Sequence, residues 1–396
     1  MMLIHLDEPG TPDTRLPLLR LGFRPFYLLA ALFAAVAMPW WLWQRFTGTY
    51  PGQGLNGMAW HAHEMIFGYV VAVIAGFLLT AVRNWTGAET PTGRALAGLC
   101  LLWLLPRLLL PFAPVVLTAL ADLLFLPILA WVIRTRLRAA NNTRNRFIPR
   151  LLGALALLNL GFYLAHLGWL PLNEFTPMEA ALMLIVTLEV VIGGRIIPSF
   201  TKNALPGITQ RHTPALEHHL PLFTATILLG NLLPLPAWLI TSADALLALM
   251  HAYRVSGWGS WACRKSPLLW VLHGGYWCIP AGIALLALAP PDILPRLAGL
   301  HLLAIGATGG LTIAMLTRTA LGHTGRPLRA GPLEHLAYLC IFLAAACRLL
   351  ATLPVLPGAY QAEIWLAGLF WSGGFLLYLI KYVPILGSAR VDGKAG

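Results

Sequence analysis

The chain has 396 residues, 58% of them hydrophobic and 11% charged, with a mean hydropathy of +0.73. Soluble domains carry about a quarter charged residues, so this composition excludes an ordinary soluble enzyme, and its apolar content excludes a disordered chain. The net charge of +12, from 27 Lys and Arg against 15 Asp and Glu, would suggest nucleic acid in a soluble protein, but here its distribution along the chain matters more.

Apolar runs bounded by Pro, Gly and charge predict an all-α integral membrane protein with twelve transmembrane helices. The runs cover residues 26–43, 58–82, 95–112, 115–133, 151–170, 178–200, 220–232, 236–250, 267–288, 296–316, 333–350 and 364–382. Each crossing of a roughly 30 Å hydrocarbon core takes about 20 residues. Helix is required because lipid offers the backbone no hydrogen bonds. The seventh and eighth runs are short and meet at Leu233-Pro234-Leu235-Pro236. The expected organisation is a polar segment at 1–25, a single membrane domain at 26–385 and a tail at 386–396.

With the N-terminus inside, only Arg45, Arg107, Arg296 and Arg348 of the 27 basic residues fall on the outer side. This alternation obeys the positive-inside rule and puts both termini in the cytoplasm. The basic excess is then a topology signal with no nucleic-acid role. The first 25 residues are polar and proline-bearing, so no cleavable signal peptide is expected. Cys100, Cys263, Cys278, Cys340 and Cys347 form no CxxC pair, which argues against disulfides and against a thiolate metal site. Spans two, six and ten end alike around Gly76, Gly193-Gly194 and Gly309-Gly310, at near-equal spacing. Three four-helix repeats account for this, as does ordinary small-residue packing between helices.

Ionisable side chains inside a membrane span are costly and point to function. His61, His63, His166 and His301 fall toward the outer face. His218, His219, His251, His273, His323 and His335 fall toward the cytoplasmic one, and His5 and His212 lie in polar segments. The densest cluster is Trp60-His61-Ala62-His63-Glu64, and imidazoles bind iron and copper well. At 3.6 residues per turn, residues two apart point about 200° apart. His61 and His63 therefore serve two centres unless the first turn is unwound. Glu64 shares a helix face with His61 and is spaced to orient it.

His301 sits at a similar depth in span ten, compatible with a haem between spans two and ten. Gly68, Gly76, Gly306, Gly309 and Gly310 flank that space, although close helix packing explains them more simply. His273 and Tyr276 share a face, as a metal-binding pair with proton or electron supply or as groups bonded to a neighbouring helix. His323 lies in a polar turn and by itself reads as a loop residue. Arg107 and Arg348 either hold haem propionates or pair with Asp122, and an Arg107–Asp122 pair is the simpler reading. Glu189, in mid-span, is either protonated and hydrogen-bonded or a proton relay.

The most distinctive segments are Gly22-Phe23-Arg24-Pro25-Phe26-Tyr27, Trp60-His61-Ala62-His63-Glu64-Met65, Asn84-Trp85-Thr86-Gly87, Gly193-Gly194-Arg195-Ile196-Ile197-Pro198, Pro267-Leu268-Leu269-Trp270-Val271-Leu272-His273 and Leu321-Gly322-His323-Thr324-Gly325-Arg326-Pro327. In this order they resemble the NnrS family of bacterial inner-membrane proteins. One departure is Arg83, where the family pattern has proline before Asn-Trp-Thr-Gly; it bears on the local helix end. The resemblance implies a multi-pass protein with haem, of b-type, and copper, linked to nitric oxide in denitrification or nitrosative-stress defence. The histidines that coincide with its motifs are His61, His63, His273, His301 and His323, leaving His166, His212 and His335 as bystanders.

The reading that follows is an oxidoreductase resembling a nitric oxide reductase, fed by quinol from the bilayer. In it His61, His63 and His301 form an outer metal site, with Arg107 and Arg348 as cofactor partners. His273 with Tyr276, together with His323, forms a second ligand set, and Glu64 and Glu189 handle protons. Two alternatives remain open: a non-catalytic nitric-oxide-binding or sensing protein that protects cellular iron, and a transporter.

Overall fold

A computed structural model describes residues 16–50, 54–353 and 359–394. His5 and Arg15 lie outside the described residues. Among these residues the chain is helical, with no strand. The principal helices are α1 (Phe23–Thr47), α2 (Gly57–Thr86), α3 (Gly93–Leu109), α4 (Val115–Ala139), α5 (Phe147–His166), α6 (Phe175–Ala204), α7 (Pro214–Gly230), α8 (Ala237–Ser256), α9 (Pro267–Ala287), α10 (Arg296–His323), α11 (Pro332–Leu350) and α12 (Tyr360–Gly387).

A helix stands at each of the expected spans. Nine of those within the described residues are long and apolar enough to cross a bilayer. The other three are α3 and α7, with 17 residues each, and α8, which carries Asp244, His251 and Arg254. Seventeen residues rise only about 25 Å. Those nine apolar helices make the chain a multi-pass membrane protein.

Burial sorts the helices into a centre and a rim. The apolar windows of α2 and α10 are 78% and 72% buried, against 33% for α5 and 39% for α11 and α12. The rim presents large apolar side chains such as Leu32, Leu101, Leu120, Trp131, Leu249 and Ile380 outward. In water so broad an apolar surface would drive aggregation. In a bilayer it meets lipid. Prolines inside helices, among them Pro39, Pro127, Pro198 and Pro280, fit the same setting, where neighbouring helices satisfy the freed carbonyls.

The two central helices share a departure from α geometry. α2 carries a π-helical segment at Glu64–Val70 and α10 one at Leu302–Gly309. A π turn inserts an extra residue and reorients the side chains that follow, and such turns recur at functional sites. The carbonyl of Gly68, inside the first segment, accepts a hydrogen bond from the Trp103 indole at 3.1 Å.

At its far end α2 runs through Arg83 and stops at Gly87, whose φ of +69° is a left-handed conformation that favours glycine. The Gly87 N–H bonds the Arg83 carbonyl at 2.8 Å, so arginine in place of proline leaves an ordinary helix terminus.

Candidate functional site

His61 and His301 line one cavity of about 550 Å3, between the π-bearing halves of α2 and α10. That volume is within the roughly 300–1,000 Å3 typical of cofactor sites. Its walls are mostly apolar, with Met38, Met65, Ile66, Leu300, Ala304 and Ile305 among them. The His61 ring stacks on Trp41, with centroids 4.3 Å apart and planes at 28°. Its Nδ1 is buried without a hydrogen-bond partner. His301 Nδ1 lies 2.9 Å from the Leu297 carbonyl and must donate to it, which leaves Nε2 as the ring's lone-pair nitrogen. Arg348 also lines the cavity, close enough to both imidazoles to interact with them electrostatically. Its buried Nη1 has no partner.

His63 points away from this cavity, as the two-residue spacing requires. Its Nδ1 is 2.8 Å from Glu64 Oε1 and its Nε2 is 2.9 Å from Asn159 Oδ1. Asn159 Nδ2 in turn donates to Asp122 Oδ2 at 2.7 Å. With acceptors at both ring nitrogens, His63 keeps no lone pair for a metal. Arg107 completes this buried network: it pairs with Asp122, and its Nε lies 3.4 Å from Glu64 Oε2. It does not line the cavity. Helical spacing pairs Glu64 with His61, whereas the structure pairs it with His63. The physical reason is the pair of nitrogen partners on that side: Glu64 Oε1 meets His63 Nδ1 and Oε2 faces Arg107 Nε, so the carboxylate is drawn into the buried network.

Glu189 in α6 lies beside Thr308 and Tyr69, both of which line the His61–His301 cavity. The Tyr69 hydroxyl is 2.6 Å from Thr312 Oγ1. The flanking glycines serve helix packing. A Cβ at Gly306 would come within 2.8 Å of Cys278 Sγ, and one at Gly309 within 2.7 Å of Trp371.

His273 and Tyr276 have separate partners. His273 Nδ1 lies 2.9 Å from Ser260 Oγ, and its Nε2 lies 2.9 Å from Thr201 Oγ1 and 3.4 Å from Cys263 Sγ. The Tyr276 hydroxyl contacts His251 Nδ1 at 3.1 Å and accepts from Arg254 Nη1 at 2.6 Å, while Arg254 pairs with Glu217. His323 lines a different cavity, and its ring packs on Phe23 with centroids 5.5 Å apart. Among the described residues, no group of three or more His, Cys, Asp or Glu side chains is arranged to hold one metal ion.

Asn159, Trp41, Tyr69, Cys263 and the His251–Arg254–Glu217 set carried no periodic or motif signal as functional residues. Asn159 and Glu217 come from helices distant in sequence from the residues they meet, while Cys263 comes from the short turn before α9.

A family model described as "NnrS protein" matches residues 17–390, nearly the whole chain. The chain belongs to the NnrS family. Membership makes it a membrane protein related to nitric oxide, in a family associated with metal cofactors. No curated protein matches the sequence. For an NnrS protein the His61–His301 cavity fits a haem on the chemistry of its donors: two imidazoles from different helices, an apolar wall, and a buried guanidinium with an unpartnered N–H.

Proposed function

We propose that this NnrS protein is a haem- and copper-containing protein of the bacterial inner membrane that reduces nitric oxide with electrons from quinol. The observation that carries the reading is that His61 and His301, 240 positions apart in sequence, line one apolar cavity. In this reading both imidazoles hold the haem, and the free N–H groups of Arg348 take a propionate. When bound, the haem supplies a redox-active iron with affinity for nitric oxide.

The net reaction takes two nitric oxide molecules, two electrons and two protons to nitrous oxide and water. Quinol carries both the electrons and the protons. Glu189, beside Thr308 and Tyr69, is the group suited to pass protons to the cavity. The apolar walls exclude bulk water. Glu64 acts by holding His63 and Arg107, which keeps the first turns of α2 in register with α3, α4 and α5.

For copper, the donors are His273 Nε2 and Cys263 Sγ, 3.4 Å apart, a nitrogen and a soft sulfur that suit the monovalent ion. This departs from the sequence expectation of no thiolate site. We also read the bundle as twelve crossings with both termini cytoplasmic, on the strength of the basic-residue alternation, and the spacing of the glycines in spans two, six and ten is that of three four-helix units.

The test is haem quantification by pyridine haemochrome, with anaerobic nitric oxide consumption under quinol, on wild type, His61→Ala and His301→Ala. Haem in the wild type, its loss in both variants and consumption only by the wild type bear the reading out. An iron-free wild type, or full haem in both variants, overturns it. Haem without consumption retires the catalytic reading in favour of a nitric-oxide-binding protein.

A further inference from the structure

At the opposite end of the same three helices, α2, α6 and α10 converge on a second cavity, of about 710 Å3. Arg195 from α6, Arg318 from α10 and Arg144 from the α4–α5 connection line it, with Asn84, Asn145 and His323. No carboxylate is among its described lining residues. Elsewhere guanidinium groups meet acids, as Arg107 does with Asp122, Arg254 with Glu217, and Arg296 with Glu179 at 2.9 Å, while Arg24 donates to the carbonyls of Leu386 and Ser388. The three arginines of this cavity have no ion-pair partner among the described residues. Arg195 Nη1 donates to Asn145 Oδ1 at 2.9 Å, and Arg318 lies over the Phe200 ring at 3.8 Å.

Three like charges around one partly enclosed space repel one another, and an anion between them relieves that repulsion. A neutral ligand such as a quinol would leave the charges unmatched. Guanidinium forks match the oxygens of phosphate, and a wall formed by Phe77, Ile196 and Met315 accepts an apolar tail. Asn84-Trp85, Arg195-Ile196 and Gly322-His323, parts of three distinctive segments of the sequence, all line this cavity.

We propose that this cavity binds an anionic phosphate ester, with Arg195 and Arg318 holding the phosphate oxygens. Basic pockets between membrane helices take anionic lipid headgroups in this manner. The site stands independently of the haem reading.

The test is native mass spectrometry and thermal stability of the purified full chain in detergent. The probes are phosphatidylglycerol, inorganic phosphate and the net-neutral phosphatidylcholine. Phosphatidylglycerol should bind saturably and raise Tm. The Arg195→Gln/Arg318→Gln double variant should weaken this by about tenfold or more, since two charge-assisted contacts are lost. Arg195→Lys/Arg318→Lys should lose less, and Arg264→Gln, away from the cavity, should lose nothing. Saturable inorganic phosphate binding lost in the same double variant would support the site with free phosphate as its source. Unchanged phosphatidylglycerol binding in the double variant, equal binding of phosphatidylcholine, or binding of neither phosphate probe by wild type overturns the proposal. If the glutamine double variant does not fold, Arg318→Gln alone carries the comparison.

Discussion

The His301 ring donates through Nδ1 to the carbonyl of Leu297, one turn earlier in α10, at 2.9 Å. A carbonyl only accepts, so this bond selects the tautomer whose Nε2 is unprotonated and free to ligate. It also fixes the ring plane, as the outer hydrogen bonds of metal-binding histidines do. His61 reaches a comparable constraint by stacking on Trp41. The two imidazoles are held by different means and line the same cavity.

Arg348 is placed to neutralise an acidic group on whatever fills that cavity. Arg348→Ala should weaken haem retention by on the order of tenfold or more, from the roughly 1.5–3 kcal/mol of a charged hydrogen bond. Arg348→Lys should recover part of it. Haem transfer to apomyoglobin measures the change, and equal transfer rates for wild type and Arg348→Ala would refute the role.

The Asp122 network predicts stability effects separable from haem. Asp122→Ala leaves the Arg107 guanidinium buried without its main partner. Breaking a buried ion pair from one side costs about 3–5 kcal/mol. Replacing both partners, as in Arg107→Met/Asp122→Leu, should recover much of that loss. Unfolding in mixed detergent would report it, and a double variant less stable than Asp122→Ala would contradict the assignment.

His63, with both nitrogens engaged, should behave as a member of that network. His63→Gln is expected to lower the unfolding midpoint while leaving the haem-to-protein ratio near that of wild type. A His63→Gln protein of normal stability but without haem would show that His63 is a ligand after all.

Glu189→Gln keeps the shape of the side chain beside Thr308 and removes its ability to exchange a proton. Nitric oxide consumption should fall by about tenfold or more, within the range of acid–base contributions, with haem content unchanged. The solvent deuterium isotope effect on the residual rate should rise. A variant as fast as wild type would exclude Glu189 from proton delivery.

Cys263→Ser and His273→Ala should each deplete copper while sparing haem, as read by elemental analysis beside the haemochrome. Loss of haem with copper retained would reverse the pairing of sites and metals.

Much of this protein is legible in its amino-acid sequence. The apolar runs specified a helical membrane protein because lipid leaves the backbone no other way to satisfy its hydrogen bonds. The 200° separation of His61 and His63 left one centre or two open, and the sequence reading placed both with His301, whereas the structure keeps His63 out of that cavity. The Arg107–Asp122 pair followed from two opposite charges too costly to bury apart. Three things needed the tertiary structure. Glu64 turned to His63 instead of His61 because Arg107, from another helix, draws its carboxylate into the buried network. Tyr276 met His251 and Arg254 instead of His273, because partners across helices are chosen by packing between segments far apart in the chain. The third was which histidines and arginines share a space. Sequence sets how deep a side chain lies along its own helix, but the walls of a cavity are set by how helices cross. Only those crossings bring His61 to His301 at one end of the bundle and Arg195 to Arg318 at the other.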